Sequence, residues 1–219
     1  MRLDRRLAAV AMQIPFGAHA DIGSDHAYLL RWLLRHNKIR CGIAIEKTES
    51  PFANSLRTLK GLKADVRLAD GFAGLSQGEA DSVSLCGMGG RLISNILEAF
   101  PDRVPATVIA APNDHPDQVR RWAIRMGYGL VDESFVLDRH PYMIMRFERG
   151  MLGSLECDNQ DDAIALQFGP LLIERWEPEF VAYLQREKKR LDGYAKRTAE
   201  SQQRLDAIVR LLAEKSASV

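Results

Sequence analysis

The stretch ADIGSDHAYLL, residues 20–30, decides the fold. A nucleotide-binding strand, loop and helix usually reads D-x-G-x-G-x-G or G-x-G-x-x-G. Asp21 and Gly23 are in place, but the next two glycine slots hold Asp25 and Ala27, with His26 between them. The apolar AHADIG ahead of the loop predicts a strand, and AYLLRWLLRHN behind it predicts a helix. The setting is that of a nucleotide site, with two of its glycines replaced.

Working outward, the same alternation repeats. CGIAIE reads as a strand ending in Glu46, and SPFANSLRTLKGL as a helix with Ser50 as N-cap and Pro51 in its first turn. ADVRLADG and ADSVSLCGMGG are strands, RLISNILEAF a helix, ATVIAAPN a strand and HPDQVRRWAIRMGY a helix. GLVDESFVLDRHPYMIMRFERG reads as two closing strands joined by a turn. Upstream, Leu3, Leu7, Val10, Ala11 and Ile14 recur at helical spacing until Pro15 ends the helix. Strands alternating with helices predict an α/β domain over residues 1–150, its sheet mostly parallel with an antiparallel edge strand.

After Gly150 the pattern changes. Leu184, Leu191, Thr198, Leu205 and Leu212 are spaced by sevens, with Phe180, Val181, Tyr194, Ala195, Ile208 and Val209 on the intervening half-turns. Residues 151–219 therefore read as a helical, coiled-coil-like domain. Within it 160–176 form a shorter helix, limited by Pro170 and Pro178. An antiparallel hairpin is the preferred reading over a dimeric coiled coil.

A net charge of +1 gives no global field that would point to nucleic acid. The charge is uneven along the chain: +3 over residues 1–150, −5 over 151–177 and +3 over 178–219. Cys41, Cys86 and Cys157 lie far apart without a C-x-x-C pair, which argues against a metal site or disulfide framework and for a reducing compartment. The N-terminal MRLDRRLAAVAMQIP is short, alanine-rich and runs into proline, unlike a signal peptide. No apolar run approaches the roughly 18 residues of a membrane span. The expectation is a cytoplasmic protein with no membrane partner, monomeric or weakly dimeric.

Ligands of open α/β sheets bind beyond the carboxyl ends of the strands. Those ends carry Asp21, Gly23, Ser24, Asp25 and His26, then Glu46, then Asp70 and Gly71. Gly87, Met88, Gly89 and Gly90 follow the fourth strand, and Pro112, Asn113 and Asp114 the fifth. Gly23 permits a sharp turn. Glu46, about 25 residues after Asp21, stands where an acid accepts hydrogen bonds from a ribose diol. Asp70 could accept from an exocyclic adenine amine, although Asp-Gly is also an ordinary turn pair. The altered loop then selects the ligand. Glycines in a dinucleotide loop let N–H groups meet a pyrophosphate, which Asp25 would repel. An acidic loop suits a cationic amine without phosphates, and S-adenosyl-L-methionine has an adenosine, an ammonium, a carboxylate and a sulfonium. Asp25 suits the ammonium, and His26 or backbone N–H groups suit the carboxylate.

ADIGSDHAYL, the strand-end Glu46, LADG, GMGG, and PN followed by a W…GY helix resemble the bacterial tRNA (adenine(22)-N1)-methyltransferase family. The resemblance covers most of residues 1–150 and continues through FGPLL into the tail. It implies a class I methyltransferase Rossmann-like fold with a C-terminal helical, coiled-coil-like domain. It also implies methyl transfer from S-adenosyl-L-methionine to N1 of an adenine in the D-arm region of tRNA. One position departs: the family typically carries glutamine before P-N, and Ala111 stands here.

The expected cofactor-binding residues are Asp21, Gly23, Ser24, Asp25, His26, Tyr28, Glu46, Asp70, Gly71, Gly87 and Gly89. Adenine N1 is a lone-pair nucleophile, so alignment rather than a strong base is the main demand. Asn113 is expected to orient the adenine edge, and Asp25 to line the same cavity and stabilise the charged product. Arg91, Arg120, Arg121 and Arg125 on helices at the ligand edge are candidates to track phosphates. Lys188, Lys189, Arg190, Lys196, Arg197 and Arg204 are the candidates on the tail. The alternative is a methyltransferase acting on another RNA or a small molecule. An NAD-dependent oxidoreductase is disfavoured by Asp25 and Ala27, and a non-catalytic reading makes the tail a partner-binding module.

Overall fold

The computed structural model describes residues 2–138, 140–151 and 160–216, and Cys157 lies outside them. Helix α1 (Arg5–Gln13) starts at Asp4, whose Oδ1 accepts the Leu7 amide at 2.7 Å, and stops ahead of Pro15. Next come β1 (Ala18–Ile22), α2 (Tyr28–Arg35), β2 (Cys41–Glu46), α3 (Glu49–Leu59) and β3 (Ala64–Leu68). Then follow β4 (Ser82–Cys86), α4 (Gly90–Ala99), β5 (Thr107–Ala111), α5 (Pro116–Arg125), β6 (Tyr128–Leu137) and β7 (Pro141–Arg149). The start of α3 differs from expectation. Thr48, not Ser50, is its N-cap, and Pro51 sits inside the first turn, where its missing N–H has no intrahelical role.

The strands form one seven-stranded sheet in the order β3-β2-β1-β4-β5-β7-β6. Pairs among β1 to β5 are parallel, and β7 pairs antiparallel with both β5 and β6. So β7 runs against its neighbours, inserted between β5 and the edge strand β6. Strands β1 and β5 are buried along their whole length, as parallel strands covered on both faces must be. Alternate residues Ile22, Ile45, Leu85 and Val108 pack on one face against Ile93, Leu97, Val119 and Trp122 of α4 and α5. On the other face Ala44, Ile109 and Ile144 meet Val10, Leu30, Leu33 and Leu59 of α1 to α3. The chain leaves β1 towards β2 and returns on the other side at β4. The strand order therefore opens a crevice beyond the carboxyl ends of β1 and β4.

The tail comprises α6 (Gln160–Phe168), α7 (Pro170–Arg175), α8 (Pro178–Asp192) and α9 (Ala199–Ser216). The single helix expected over 160–176 is thus two. Gly169, at φ +94°, separates them, and a Cβ there would lie 2.6 Å from Glu133 Oε2. Thr198 falls in the connection between α8 and α9, so the heptad stripe is interrupted. Arg197 reaches Leu191 O, Arg204 reaches Glu187, and Lys215 lies over the Trp176 ring. Contacts that descend one helix while climbing the next define an antiparallel hairpin. Its Phe180, Leu184, Leu191, Leu205 and Ile208 bury against Phe135 of β6 and Met143 of β7.

A buried ion pair fastens this seam. Arg120 of α5 and Glu133 of β6 are 2.6 Å apart with side chains 0% exposed. Arg120 also donates to Leu166 O at 2.5 Å, and Glu133 accepts the Leu171 amide at 3.3 Å. Arg120 is therefore a core residue and not one of the phosphate-tracking cations expected from its position.

Candidate active site

The loop after β1 answers the question its sequence poses. Gly23 lies at φ +72°, and Asp25 and Ala27 also adopt left-handed backbone, at φ 56° and 51°. All three glycine slots therefore keep the glycine-like path, although two hold other residues. A non-glycine residue pays roughly 1–2 kcal/mol for such a conformation, and strain of that kind concentrates at ligand sites. Asp25 and Ala27 are held there by the chain around them: the His26 amide donates to Ser24 O at 2.7 Å and Gly23 N to Ile45 O at 2.9 Å.

This loop walls a cavity of about 380 Å³ over the ends of β1 and β4. Asp21, Gly23, Ser24, Asp25, His26 and Tyr28 line it, and Gly87 and Asn113 close its other side. Asp21 is buried, and its Oδ1 accepts the Ser84 hydroxyl at 2.6 Å. Burial raises its pKa, and the Ser24 and Ser84 hydroxyls and the Arg6 guanidinium oppose that rise. Burial likewise raises the pKa of Glu46, opposed by the Ser55 hydroxyl at 2.9 Å and the Asp25 amide, while Asp21 and Asp25 add like charge. Glu46 stands beside the cavity rather than on its wall. Burial also pushes the Cys86 thiol up, so it remains protonated. At the mouth the His26 and Tyr28 rings stack, with centroids 5.2 Å apart and planes 14° from parallel.

Three expected residues do not line this cavity. Asp70 pairs with Lys47 at 2.7 Å on the surface. Gly71 turns the chain at φ +54°, and a Cβ there would press on Ile96 at 3.0 Å. Gly89 and Gly90 let two loops touch: a Cβ on Gly89 would be 2.7 Å from Asp114 Oδ1, and one on Gly90 would overlap the His115 carbonyl. Gly90 N donates to Asp114 O at 3.0 Å, so the start of α4 is satisfied by protein. Asp70, Gly71 and Gly89 thus stand outside the wall of this cavity.

Arg6 and Tyr142 also line the cavity, and sequence reasoning missed both. The Arg6 guanidinium lies 5.1 Å from the Tyr142 ring centroid, and its Nη1 would be 3.2 Å from a Cβ on Gly87. No local motif marks Arg6; it arrives because α1 folds across the strand ends. The Ser24 hydroxyl is buried beside the Asp21 carboxylate. A guanidinium, the Asp21 and Asp25 carboxylates and a hydroxyl in one small cavity fit a zwitterionic, cationic ligand such as S-adenosyl-L-methionine.

Asn113 is shared with a second, larger cavity of about 1070 Å³. Asn113 Nδ2 donates to Gly87 O at 2.6 Å, and its amide donates to Met88 O at 2.9 Å. A carbonyl only accepts, so Nδ2 must face Gly87, and among the described residues Oδ1 is left as a free acceptor. The larger cleft runs from the β5–α5 loop across Met143 to α6, α8 and α9. Arg91, Arg121, Arg190, Arg204 and Arg210 line it. Arg190 and Arg204 share Glu187, at 2.8 and 3.0 Å, whose pKa they hold below the usual carboxylate range. Arg91 has no ion pair among the described residues. Arg125, expected in this group, instead pairs with Glu98, and Lys188 pairs with Asp192 at 2.6 Å.

The family profile described as TrmK, tRNA (adenine(22)-N(1))-methyltransferase, matches residues 19–216. A tRNA (adenine(22)-N(1))-methyltransferase of Bacillus subtilis is 38% identical over 180 residues, covering 78% of this chain and 74% of its own length. A Streptococcus pneumoniae structure solved with S-adenosyl-L-methionine superposes with TM-score 0.86 at 31% identity, over 96% of this chain and 100% of that one. A Mycoplasma capricolum TrmK structure bound to S-adenosyl-homocysteine gives TM-score 0.81 at 25% identity, over 97% and 99%.

Proposed function

The chain belongs to the tRNA (adenine(22)-N(1))-methyltransferase family, and we propose that its two cavities divide that reaction between them at Asn113. The reaction moves a methyl group from S-adenosyl-L-methionine to N1 of an adenine in tRNA. The small cavity holds the cofactor and the large cleft holds the RNA. The shared position of Asn113, with Nδ2 tied to Gly87 and Oδ1 free, carries this reading.

When bound, the cofactor supplies an electrophilic methyl group on a sulfonium. Every other task falls to the chain. Asp21 and Asp25 provide negative charge for the ammonium, and Arg6 provides a cation for the carboxylate. Glu46 accepts from the ribose diol, a role supported by its place at the end of β2. Asn113 Oδ1 accepts from the exocyclic amine next to adenine N1, which presents the N1 lone pair and excludes bases lacking that donor. It also faces the amine that shares the positive charge after methylation. The target base must be unpaired or flipped, at a cost of a few kcal/mol, and the exposed His26 and Tyr28 rings offer it a stacking surface. Arg91 and Arg121 contact phosphates along the cleft.

Residues 1–150 form the methyltransferase domain and 151–219 the helical domain in this reading. The tail buries its own apolar stripe in the hairpin, which supports a monomer over a coiled-coil dimer. Among the described residues no helix is long and apolar enough to cross a membrane, in keeping with a cytoplasmic place of work. Transfer from labelled S-adenosyl-L-methionine to unmodified tRNA, followed by nucleoside analysis, tests the reading. Labelled 1-methyladenosine is expected, and cofactor binding without any labelled nucleoside would overturn it.

A further inference from the structure

Beneath the cofactor cavity lies a buried group that methyl transfer does not use. His19 of β1 is completely buried. Its Nδ1 is 2.8 Å from Ser82 Oγ and its Nε2 is 2.9 Å from Ser84 Oγ. Ser84 Oγ is in turn 2.6 Å from Asp21 Oδ1. The parallel register produces this line: His19 sits opposite Ser82 and Asp21 opposite Ser84, and residues two apart share a sheet face.

The direction of each link follows from what each group can do. An ionised Asp21, facing the ammonium and sulfonium of the cofactor, only accepts. The one Ser84 proton must therefore go to Asp21. Ser84 Oγ is then the acceptor towards His19, which must carry its ring proton on Nε2. Nδ1 is left to accept from Ser82. Burial lowers the His19 pKa to about 3, so the ring is neutral and has a single proton to place.

We propose that His19 is a positioning residue of the cofactor site, its Nε2–H acting through the Ser84 hydroxyl to hold the Asp21 carboxylate in its cofactor-binding orientation. The inference rests on Asp21 facing the cofactor. The Ser24 hydroxyl of the loop and Arg6 of α1 favour the Asp21 charge, Glu46 of β2 carries like charge beside it, and the Cys86 thiol of β4 is neutral. Without the His19 donor, Ser84 is free to turn away, and burial acts on Asp21 with less opposition.

Calorimetric titration with S-adenosyl-L-methionine between pH 5 and pH 8 tests this on His19→Val, His19→Gln and Asp21→Asn. At pH 7.5 His19→Val is expected to weaken affinity about three- to tenfold, the worth of one hydrogen bond. Its loss of affinity towards acid should also begin at higher pH. His19→Gln, whose amide N–H replaces Nε2–H, should restore both. A His19→Val protein with lower thermal stability but the wild-type affinity profile overturns the proposal, because a purely structural role has that signature. Weak binding by Asp21→Asn beside normal binding by His19→Val overturns it alone. Normal binding by Asp21→Asn overturns the reading of Asp21 on which it rests. If His19→Val does not fold, nitrogen-15 NMR of the wild-type ring with bound cofactor decides. A proton on Nε2 supports the proposal and a proton on Nδ1 overturns it.

Discussion

The two cavities that meet at Asn113 are built in opposite ways. The cofactor cavity takes most of its wall from residues 21–29 and 86–87, so a few backbone turns deliver its polar groups. The larger cleft takes its arginines from α4, α5, α8 and α9. Buried networks beside them differ in the same sense. Under the small cavity, neutral Ser82, His19 and Ser84 lead to one carboxylate. Beside the cleft, Arg120 and Glu133 form a fully buried ion pair that ties the tail to the sheet. A small ligand of fixed shape is met by a rigid turn encoded within a few residues. In the proposed reading a large polyanion is met by dispersed cations whose relative placement depends on how separate helices pack.

This contrast can be broken by experiment, and the tail anchor should give the largest effect. Glu133→Ala leaves Arg120 charged and alone in the core, which should cost about 3–5 kcal/mol of stability by urea denaturation. If the contrast holds, tRNA affinity collapses while the cofactor affinity of the folded fraction stays within about twofold. Retained tRNA binding would show that the cleft does not need its anchor.

Asn113→Ala sharpens the contrast at the junction. Turnover should fall about 100-fold, on the scale of losing one oriented polar contact in the transition state. Calorimetry should find cofactor affinity almost unchanged. A parallel loss of affinity would move Asn113 into the cofactor site.

The neutral network has its own signature in pH. His19 has a folded pKa of about 3 against 6.5 when unfolded. Below pH 6.5 the unfolded chain gains a proton that the folded one refuses, so stability present above 6.5 is lost as pH falls towards 3. By pH 5 this group alone should account for about 2 kcal/mol. Denaturation of wild type and His19→Gln at pH 7.5 and pH 5 isolates it, since the glutamine variant lacks that slope.

The smallest effect belongs to a single cleft cation. Arg91→Ala should weaken tRNA binding severalfold, reduce the salt slope by about one, and leave cofactor affinity alone. An unchanged salt slope would remove Arg91 from the RNA path.

Much of the site could be read along the chain because its parts are local. ADIGSDHAYLL carries strand, turn and helix together, and the structure brings Asp21, Gly23, Ser24, Asp25, His26 and Tyr28 to one cavity. Other readings failed where a residue's partner lies far away. Arg120 looks like a surface helix cation until β6 brings Glu133 beneath it. GMGG looks like a ligand loop; its Gly87 lines the cavity, while Gly89 and Gly90 make room for Asp114 and His115 from another loop, which no local pattern shows. Arg6 carries no motif and reaches the cavity only through the path of α1. His19 reads as one polar residue in an apolar strand, and its meaning depends on the β4 register.

Residue order alone fixes the alternating α/β sheet, the turn after β1 and the helical tail, each set by periodicity or by backbone demands that operate over a few neighbouring residues, and the family is legible in its resemblance to known motifs. The tertiary structure alone decided which charges are buried, that the tail folds back as a hairpin against β6 and β7, and that two cavities converge on Asn113. Those outcomes depend on burial and on hydrogen-bond partners tens of residues apart, and only the packed chain brings such groups within reach of one another.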